Sequence, residues 1–186
     1  MSTAAAQACK GDVDLTMQAT VEAFACERVD GSLTVRGAVG DLGPLSRLRE
    51  VAGTLDVNGT RRLATRTGLD GLRSVWALSV RHNDAPCSLG GLGGLEPTIS
   101  GAVTIAYNDS LRTLAGLAPL TAVGWLTVRG LLGNEITDVE ALASLSSVGG
   151  GVLLASAFLW TACEGAGATW SGWSPPPTRR ACTSSG

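Results

Sequence analysis

The chain has 186 residues, of which 45% are hydrophobic, 16% are charged and 4% are aromatic, and its net charge is −2. This length is sufficient to bury the core of one domain. The low, nearly balanced charge argues against nucleic-acid binding, which needs a clustered basic face. The sequence has no run of about 18 apolar residues, so we expect no insertion into a membrane.

The N-terminal segment is small and polar. It has neither a basic start nor an apolar stretch, so no signal peptide is visible in the chain as written. Residues 4–8 nevertheless resemble the small-residue end of a signal peptide, which leaves a truncated start open. The next segment predicts a cap at residues 9–30, with a first strand at 11–15 and a short helix at 17–25. Such a cap covers the open end of a repeated core.

Six short segments then alternate between polar and apolar residues, which predicts strands. They are 32–36, 54–58, 77–81, 102–106, 125–129 and 151–155. Before each strand an arm carries an apolar residue at every third position, most clearly from Leu111 to Val123. The residues that end the arms are separated by 24, 24, 24 and 25 positions: Val51, Val75, Ile99, Val123 and Val148.

This period predicts stacked coils of about 24 residues, whose strands pair into parallel sheets about 4.8 Å apart. The fold class is therefore a β-solenoid of the leucine-rich-repeat type, with coils at 31–155 inside a domain at 9–163. Residues 164–186 are rich in Ser, Thr, Gly and Pro, and we expect them to form an irregular C-terminal cap or flexible tail.

Outward-facing strand positions form the surface on which a solenoid normally binds its partner. Because every second residue of a strand faces outward, equivalent outward residues of successive strands should form three rows on this surface. In these rows Trp125 is an aromatic anchor and three arginines are hydrogen-bond forks. The alternative is an ordinary solvated sheet face. The candidate binding residues are Arg36, Asp56, Arg81, Thr104, Trp125, Thr127 and Arg129.

The five cysteines lack the spacing of a zinc site. Pairing Cys9 with Cys26, and Cys163 with Cys182, would staple the two ends of an elongated core, where fraying is worst. The alternative is five reduced thiols in a cytosolic protein. Cys87 has no partner in the first scheme, so we expect it to be a partly exposed free thiol.

The leucine pattern L-x-x-L-x-x-V-G-x-L-x-V, with Asn-Asp turns at 83–84 and 108–109, resembles the receptor L-domain. The segment Cys9-Lys10-Gly11-Asp12-Val13 is similar to the start of bacterial secreted or surface versions of that family. The resemblance covers residues 9–163. It implies a right-handed parallel solenoid, a secreted or cell-surface location and a binding role, without catalytic residues.

Two tryptophans depart from the family pattern, because Trp76 and Trp125 stand where Gly or a small polar residue is usual. They could mark a specific surface, although a tryptophan at the corner between arm and strand, such as Trp76, is more often a packing residue. The turn asparagines at Asn58 and Asn108 match the glycosylation sequon. Turn chemistry explains both of them better.

Catalytic chemistry is not expected. The only histidine, His82, lies in a turn and is expected to be exposed, and the carboxylates are scattered over different coils. No metal, cofactor or catalytic residue is therefore predicted. The sequence favours a non-enzymatic module that binds a protein or a glycan, and the alternative is a structural spacer of a cell-surface assembly.

Overall fold

The computed structural model describes residues 7–60, 63, 68–83, 89–108, 110–129, 136, 140–155, 160–164 and 168–169. These residues are mostly β-strand with few helical turns. The strands are β1 (Ala8–Cys9), β2 (Val13–Met17), β3 (Arg28–Val29), β4 (Leu33–Ala38), β5 (Glu50–Asn58), β6 (Ser74–Arg81), β7 (Thr98–Ala106), β8 (Ala122–Arg129), β9 (Ser147–Val148), β10 (Gly151–Ala155), β11 (Trp160–Glu164) and β12 (Ala168–Thr169).

The described helices are all short. The α-helix α1 covers Gln18–Glu22, and four 3-10 helices cover Gly43–Arg47, Gly90–Leu92, Ala115–Leu117 and Glu140–Leu142. The longest of these helices have five residues. None of the described helices reaches the length and apolarity that crossing a bilayer requires.

The strands form a parallel sheet in the order β1-β3-β5-β6-β7-β8-β10, and the predicted parallel pairing is confirmed. Strands β2 and β4 join this sheet beside β5. At the ends of the arms, residues 24 or 25 positions apart lie opposite each other, as in the pairs Val51–Val75 and Val123–Val148. Along the strands that follow, the separation ranges from 22 positions for Leu33–Leu55 to 26 for Leu126–Val152. Two antiparallel strands, β11 and β12, close the C-terminal end by pairing with β10 and β9.

The observed strands differ from the predicted ones at their boundaries. Strands β5, β6, β7 and β8 begin three or four residues earlier than expected, because the last residues of each arm also pair with the neighbouring strand. Between the two paired parts the register shifts, as it does between Ile99 and Ala102. This shift makes a corner in the chain. The predicted irregular tail also contains β12 at 168–169.

The N-terminal cap has its strand and helix, but both are displaced. The strand lies at Val13–Met17 instead of 11–15, and α1 is shorter than the predicted helix. Val21 on α1 is fully buried, as expected. A disulfide joins Cys9 and Cys26, whose Cα atoms are 5.7 Å apart. It ties β1 to the segment after α1, which agrees with the pairing expected for the N-terminal cysteines.

The buried side chains explain the apolar residue at every third position of the arms. A 3-10 helix has three residues per turn, so side chains three positions apart lie on the same side. The Leu117 amide donates to the Leu114 carbonyl at 2.8 Å, and the Leu120 amide donates to the Leu117 carbonyl at 3.0 Å. All three leucines are buried. They pack with the inward rows of the strands, which include Leu55, Leu78, Val103 and Leu126.

Buried asparagines close the strand ends beside this core. Asn83 Nδ2 donates to the Val57 carbonyl at 3.1 Å, and Asn108 Nδ2 donates to the Val80 carbonyl at 2.9 Å. Each asparagine therefore satisfies a backbone acceptor of the preceding strand. Asn108, one of the two sequon asparagines, is fully buried in this network.

Candidate functional site

The predicted binding residues lie together on the outward side of the parallel sheet. Along each strand they alternate with buried side chains, as Thr104 does with Val103 and Ile105. The same alternation holds on β8, where Thr127 lies between Leu126 and Val128. Because β4 to β8 are adjacent, this alternation forms one face. We call it the outward face, and its predicted members are Arg36, Asp56, Arg81, Thr104, Trp125, Thr127 and Arg129.

The middle row of the outward face is polar and in register over five strands. Residues opposite each other in this row are Thr34, Asp56, Ser79, Thr104 and Thr127. All five are partly exposed. The hydroxyl groups among them can donate and accept hydrogen bonds. The row therefore offers short polar groups at the strand spacing, and Asp56 carries its only charge.

Two of the predicted arginine forks are occupied by neighbouring carboxylates. Arg36 donates two hydrogen bonds to Asp14 on β2, one of them from Nε to Oδ1 at 3.0 Å. Arg81 Nη2 lies 3.1 Å from Asp56 Oδ2 on β5. Both arginines reach diagonally to the strand on the N-terminal side. These two side chains therefore join adjacent strands. The sequence suggested that they would be open forks for a partner, but their donors are used within the sheet.

Charge pairing also changes the titration of the outward face. The hydrogen bond from Arg36 holds the pKa of Asp14 below its ordinary value, an effect that burial partly offsets. The same contact raises the pKa of Arg36. Both groups stay charged at neutral pH, so the pair has no net charge there.

Arg129 has a different neighbourhood from the other two arginines. The diagonal position that holds Asp14 for Arg36 and Asp56 for Arg81 is occupied by Thr104 for Arg129. The residue opposite Arg129 is Ala106, which is buried. The place on β7 that corresponds to Asp14 and Asp56 therefore carries a hydroxyl group instead of a carboxylate.

Two tryptophans stand at the corners that border the outward face. Trp125 is 40% exposed, as an anchor residue should be, and Trp76 is 56% exposed. At this corner, where a packing residue was expected, Trp76 is therefore largely exposed. The large hydrophobic side chains that are exposed in the described residues are Met17, Trp76 and Trp125.

Both indoles lie over a glycine of the following strand. A Cβ atom on Gly101 would be 3.1 Å from Cε3 of Trp76, and a Cβ atom on Gly150 would be 2.2 Å from Cε3 of Trp125. At Gly150 the ring itself excludes a side chain, whereas at Gly101 an added Cβ atom would first meet the Trp76 carbonyl oxygen at 2.6 Å and the Ala77 Cβ atom at 2.9 Å. These glycines were not identified from the sequence, although each stands two residues before an inward valine, Val103 or Val152.

His82 is exposed, as predicted, but it has a specific neighbour. Its ring stacks on that of Tyr107, with centroids 4.8 Å apart and an angle of 10° between the planes. Both residues have positive φ values, 54° and 55°, which are uncommon for residues with a Cβ. The pair lies just past the ends of β6 and β7, beside Arg81. Tyr107 was not identified from the sequence.

The side chain of Cys163 on β11, and the whole of Cys87 and Cys182, lie outside the described part of the chain. In the described ranges, no three His, Cys, Asp or Glu side chains form a group that could hold a metal ion.

Comparison of the chain with protein-family models, with curated proteins and with solved structures finds no match. The resemblance to the receptor L-domain therefore stays a prediction. The functional interpretation depends on the geometry of the outward face and of the two tryptophans.

Proposed function

We propose that this protein is a non-enzymatic binding module of the secreted or cell-surface type, which presents the outward face to a partner. The observation that carries the proposal is the outward face itself. It brings seven dispersed residues of the sequence onto one side of one sheet, with a polar row in register and an exposed tryptophan at its border. Exposed aromatic side chains beside polar groups are typical of binding surfaces.

The architecture that we propose for the module is a right-handed β-solenoid of the receptor L-domain type. Parallel pairing of residues 22 to 26 positions apart supports it, since stacked coils of about 24 residues would produce this register. The buried asparagines support it too, because Asn83 occupies the asparagine position of the leucine-rich-repeat signature.

The disulfide of Cys9 and Cys26 supports a location outside the cytoplasm. Disulfides persist in oxidising compartments and are rare in the cytosol. The partner is a protein or a glycan that is accessible at the cell surface or outside the cell.

A structural spacer is the second candidate function. The ion pairs of Arg36 with Asp14 and of Arg81 with Asp56 favour it, because they use charged groups of the outward face for contacts within the sheet. A spacer would have the same core and disulfide, but no ligand would stabilise it.

The test is thermal unfolding of the purified protein in the presence of defined polysaccharides and purified surface proteins. A ligand that binds only the folded state raises its stability by mass action, by about 2.7 kcal/mol at a hundred times the Kd. Thr127→Arg should abolish the stabilisation by placing a long charged side chain on the outward face. Ser46→Arg is the matched control, since Ser46 is exposed on the 3-10 helix Gly43–Arg47, outside the strands.

The two functions differ in outcome. Stabilisation that is lost in Thr127→Arg and kept in Ser46→Arg supports a binding module that uses the outward face. A ligand whose effect survives Thr127→Arg shows that binding occurs elsewhere. The spacer is favoured if no polysaccharide or protein changes the unfolding temperature.

A further inference from the structure

We infer that Trp76 and Trp125 form one binding site for a linear, neutral, β-linked polysaccharide, in which each indole stacks on a sugar ring. The inference rests on the proposed binding function and names its ligand class. It depends on the spacing of the two indoles, on what surrounds them and on the charge between them.

The spacing follows from the glycines beneath the rings. Ile99 and Val148 both lie opposite Val123 in the sheet. Gly101 follows Ile99 by two residues, and Gly150 follows Val148 by two residues. The glycines are therefore equivalent positions of strands that are two steps apart in the sheet. Since each step is about 4.8 Å, the two indoles are displaced by about 9.6 Å along the stacking direction.

This displacement is close to the length of one disaccharide unit in an extended β-1,4-linked glycan. In such a chain successive sugars are turned over, so the same face returns at every second sugar. Two indoles that lie over equivalent glycines would therefore meet equivalent faces of two sugars. The apolar C–H face of a pyranose matches the electron-rich face of an indole.

The site is also preorganised for a flat ligand. Each ring is placed against backbone at a position that has no side chain, Gly101 or Gly150, and about half of each indole is exposed. A ring held by its support loses little conformational freedom when a ligand binds.

The surroundings disfavour a protein partner at this site. A protein interface buries about 800 Å² on each partner around an apolar core. Here the residues between the two tryptophans are small: Ser100, Gly101, Ala102 and Gly124. Met17 is the other large exposed hydrophobic residue of the described chain, and it lies on β2, at the opposite end of the sheet from Trp125.

The charge selects among ligands that stack on indoles. Single-stranded nucleic acid also stacks on tryptophan, but it needs a basic groove along its backbone. The four small residues between the two indoles carry no charge, and the chain has a net charge of −2. A neutral glycan fits this surface, and the hydroxyl groups of Ser79, Thr104 and Thr127 on the adjoining outward face can bind its hydroxyl groups.

The test uses the full chain and measures depletion from solution by microcrystalline cellulose, by chitin and by granular starch, whose glucan is α-linked. Soluble cellohexaose and chitohexaose are compared with the matching disaccharides by titration calorimetry. We expect binding to at least one β-linked glycan and none to starch. The hexasaccharide should bind at least roughly tenfold more tightly than the disaccharide, because only the longer chain reaches both indoles.

The variants are Trp76→Ala, Trp125→Ala, the double variant and Met17→Ala. Each single tryptophan change should weaken binding roughly tenfold, and the double change should abolish it. Met17→Ala should leave binding unchanged, although Met17 is as exposed as Trp76, at 56%. Trp76→Phe and Trp125→Phe keep an aromatic ring and should retain part of the affinity, and circular dichroism establishes that each variant is folded.

Three results would overturn the inference: no binding to any β-linked glycan, equal binding to starch, or unchanged affinity in the double variant. None of these three results contradicts the proposed function. That function is contradicted by a different result, namely that every stabilising ligand still stabilises the Thr127→Arg variant. A protein ligand that is displaced by Thr127→Arg, together with no binding to any β-linked glycan, would keep the binding module and reject the glycan site.

Discussion

Asn83 and Asn108 are joined by a buried hydrogen bond, in which Nδ2 of Asn83 donates to Oδ1 of Asn108 at 2.9 Å. Asn83 Oδ1 also accepts from the Thr60 amide at 3.1 Å and from the Thr60 hydroxyl group. All three side chains are fully buried. The ladder therefore fixes the ends of three neighbouring strands at the margin of the core, where unpaired backbone groups would be costly.

The first prediction is that Asn83→Ala lowers the free energy of unfolding by about 3 kcal/mol, because it leaves the Thr60 amide and the Val57 carbonyl buried without this partner. Urea unfolding followed by circular dichroism measures the change. Asn58→Ala is the control: Asn58 ends β5 and is half-buried, so its replacement should cost less than about 0.5 kcal/mol. Equal urea midpoints for Asn83→Ala and the unchanged protein would contradict the ladder's role.

The second prediction concerns the disulfide. Replacing both Cys9 and Cys26 by Ser should destabilise the protein by about 3 kcal/mol, the value for a closed loop of roughly 15 residues. Their separation in sequence is 17 residues. Denaturant unfolding with and without a reductant is the measurement. The reductant should lower the stability of the unchanged protein and leave that of the double variant as it is; a loss of the same size in both would mean that this disulfide is not the redox-sensitive element.

The third prediction is a pH dependence from the pair of Asp14 and Arg36. The pKa of Asp14 is lowered in the folded state, chiefly by the hydrogen bond from Arg36. Its stabilising effect is therefore fully present above the unfolded pKa of about 3.9 and is lost as the pH falls through the lower folded value. Both side chains are largely exposed, so solvent screening keeps the effect small.

The measurement for this pair is the stability difference between the unchanged protein and Asp14→Asn as a function of pH. The unchanged protein should be the more stable one at pH 7, and the difference should disappear as the pH falls through the lowered folded pKa of Asp14. Glu22→Gln on α1 is the control for removing an exposed carboxylate. A difference that grows as the solution becomes more acidic would show that the sign is wrong.

The fourth prediction compares two adjacent glycines. Gly150→Ala should destabilise the protein by about 1 kcal/mol and shift tryptophan fluorescence to longer wavelength, because its methyl group displaces the Trp125 ring towards solvent. Gly149→Ala should be tolerated, since the nearest atom to a Cβ added at this position is the Gly124 carbonyl oxygen, at 3.4 Å. If both variants behave alike, Trp125 does not lie over Gly150.

The fifth prediction concerns the arms. Leu117→Ala should cost about 3 kcal/mol, because Leu117 is fully buried and its removal leaves a cavity. Leu153→Ala, on the partly exposed side of β10, should cost less than half as much. Thermal unfolding of the two variants decides this, and similar losses would mean that the arms are not part of the core.

The period of the apolar residues was the most informative part of the sequence. It located the parallel strands to within a few residues and placed Thr104 beside Thr127, which the register of β7 and β8 confirms. Period 2 on a strand and period 3 on a 3-10 arm are consequences of local geometry, so they can be read from the chain. The early start of β7 could not be read in this way, because it depends on pairing with a neighbouring strand.

The sequence by itself determined the parallel sheet, its inward rows and the outward position of the candidate binding residues. The tertiary structure alone decided that Arg36 and Arg81 are paired with carboxylates, that Asn83 and Asn108 form a buried ladder, and that two tryptophans lie exposed over glycines. The physical reason is the range of the interactions. Hydrophobic alternation is set within a few residues, whereas an ion pair or a ring over a glycine joins residues more than 20 positions apart, whose meeting depends on the register of the sheet.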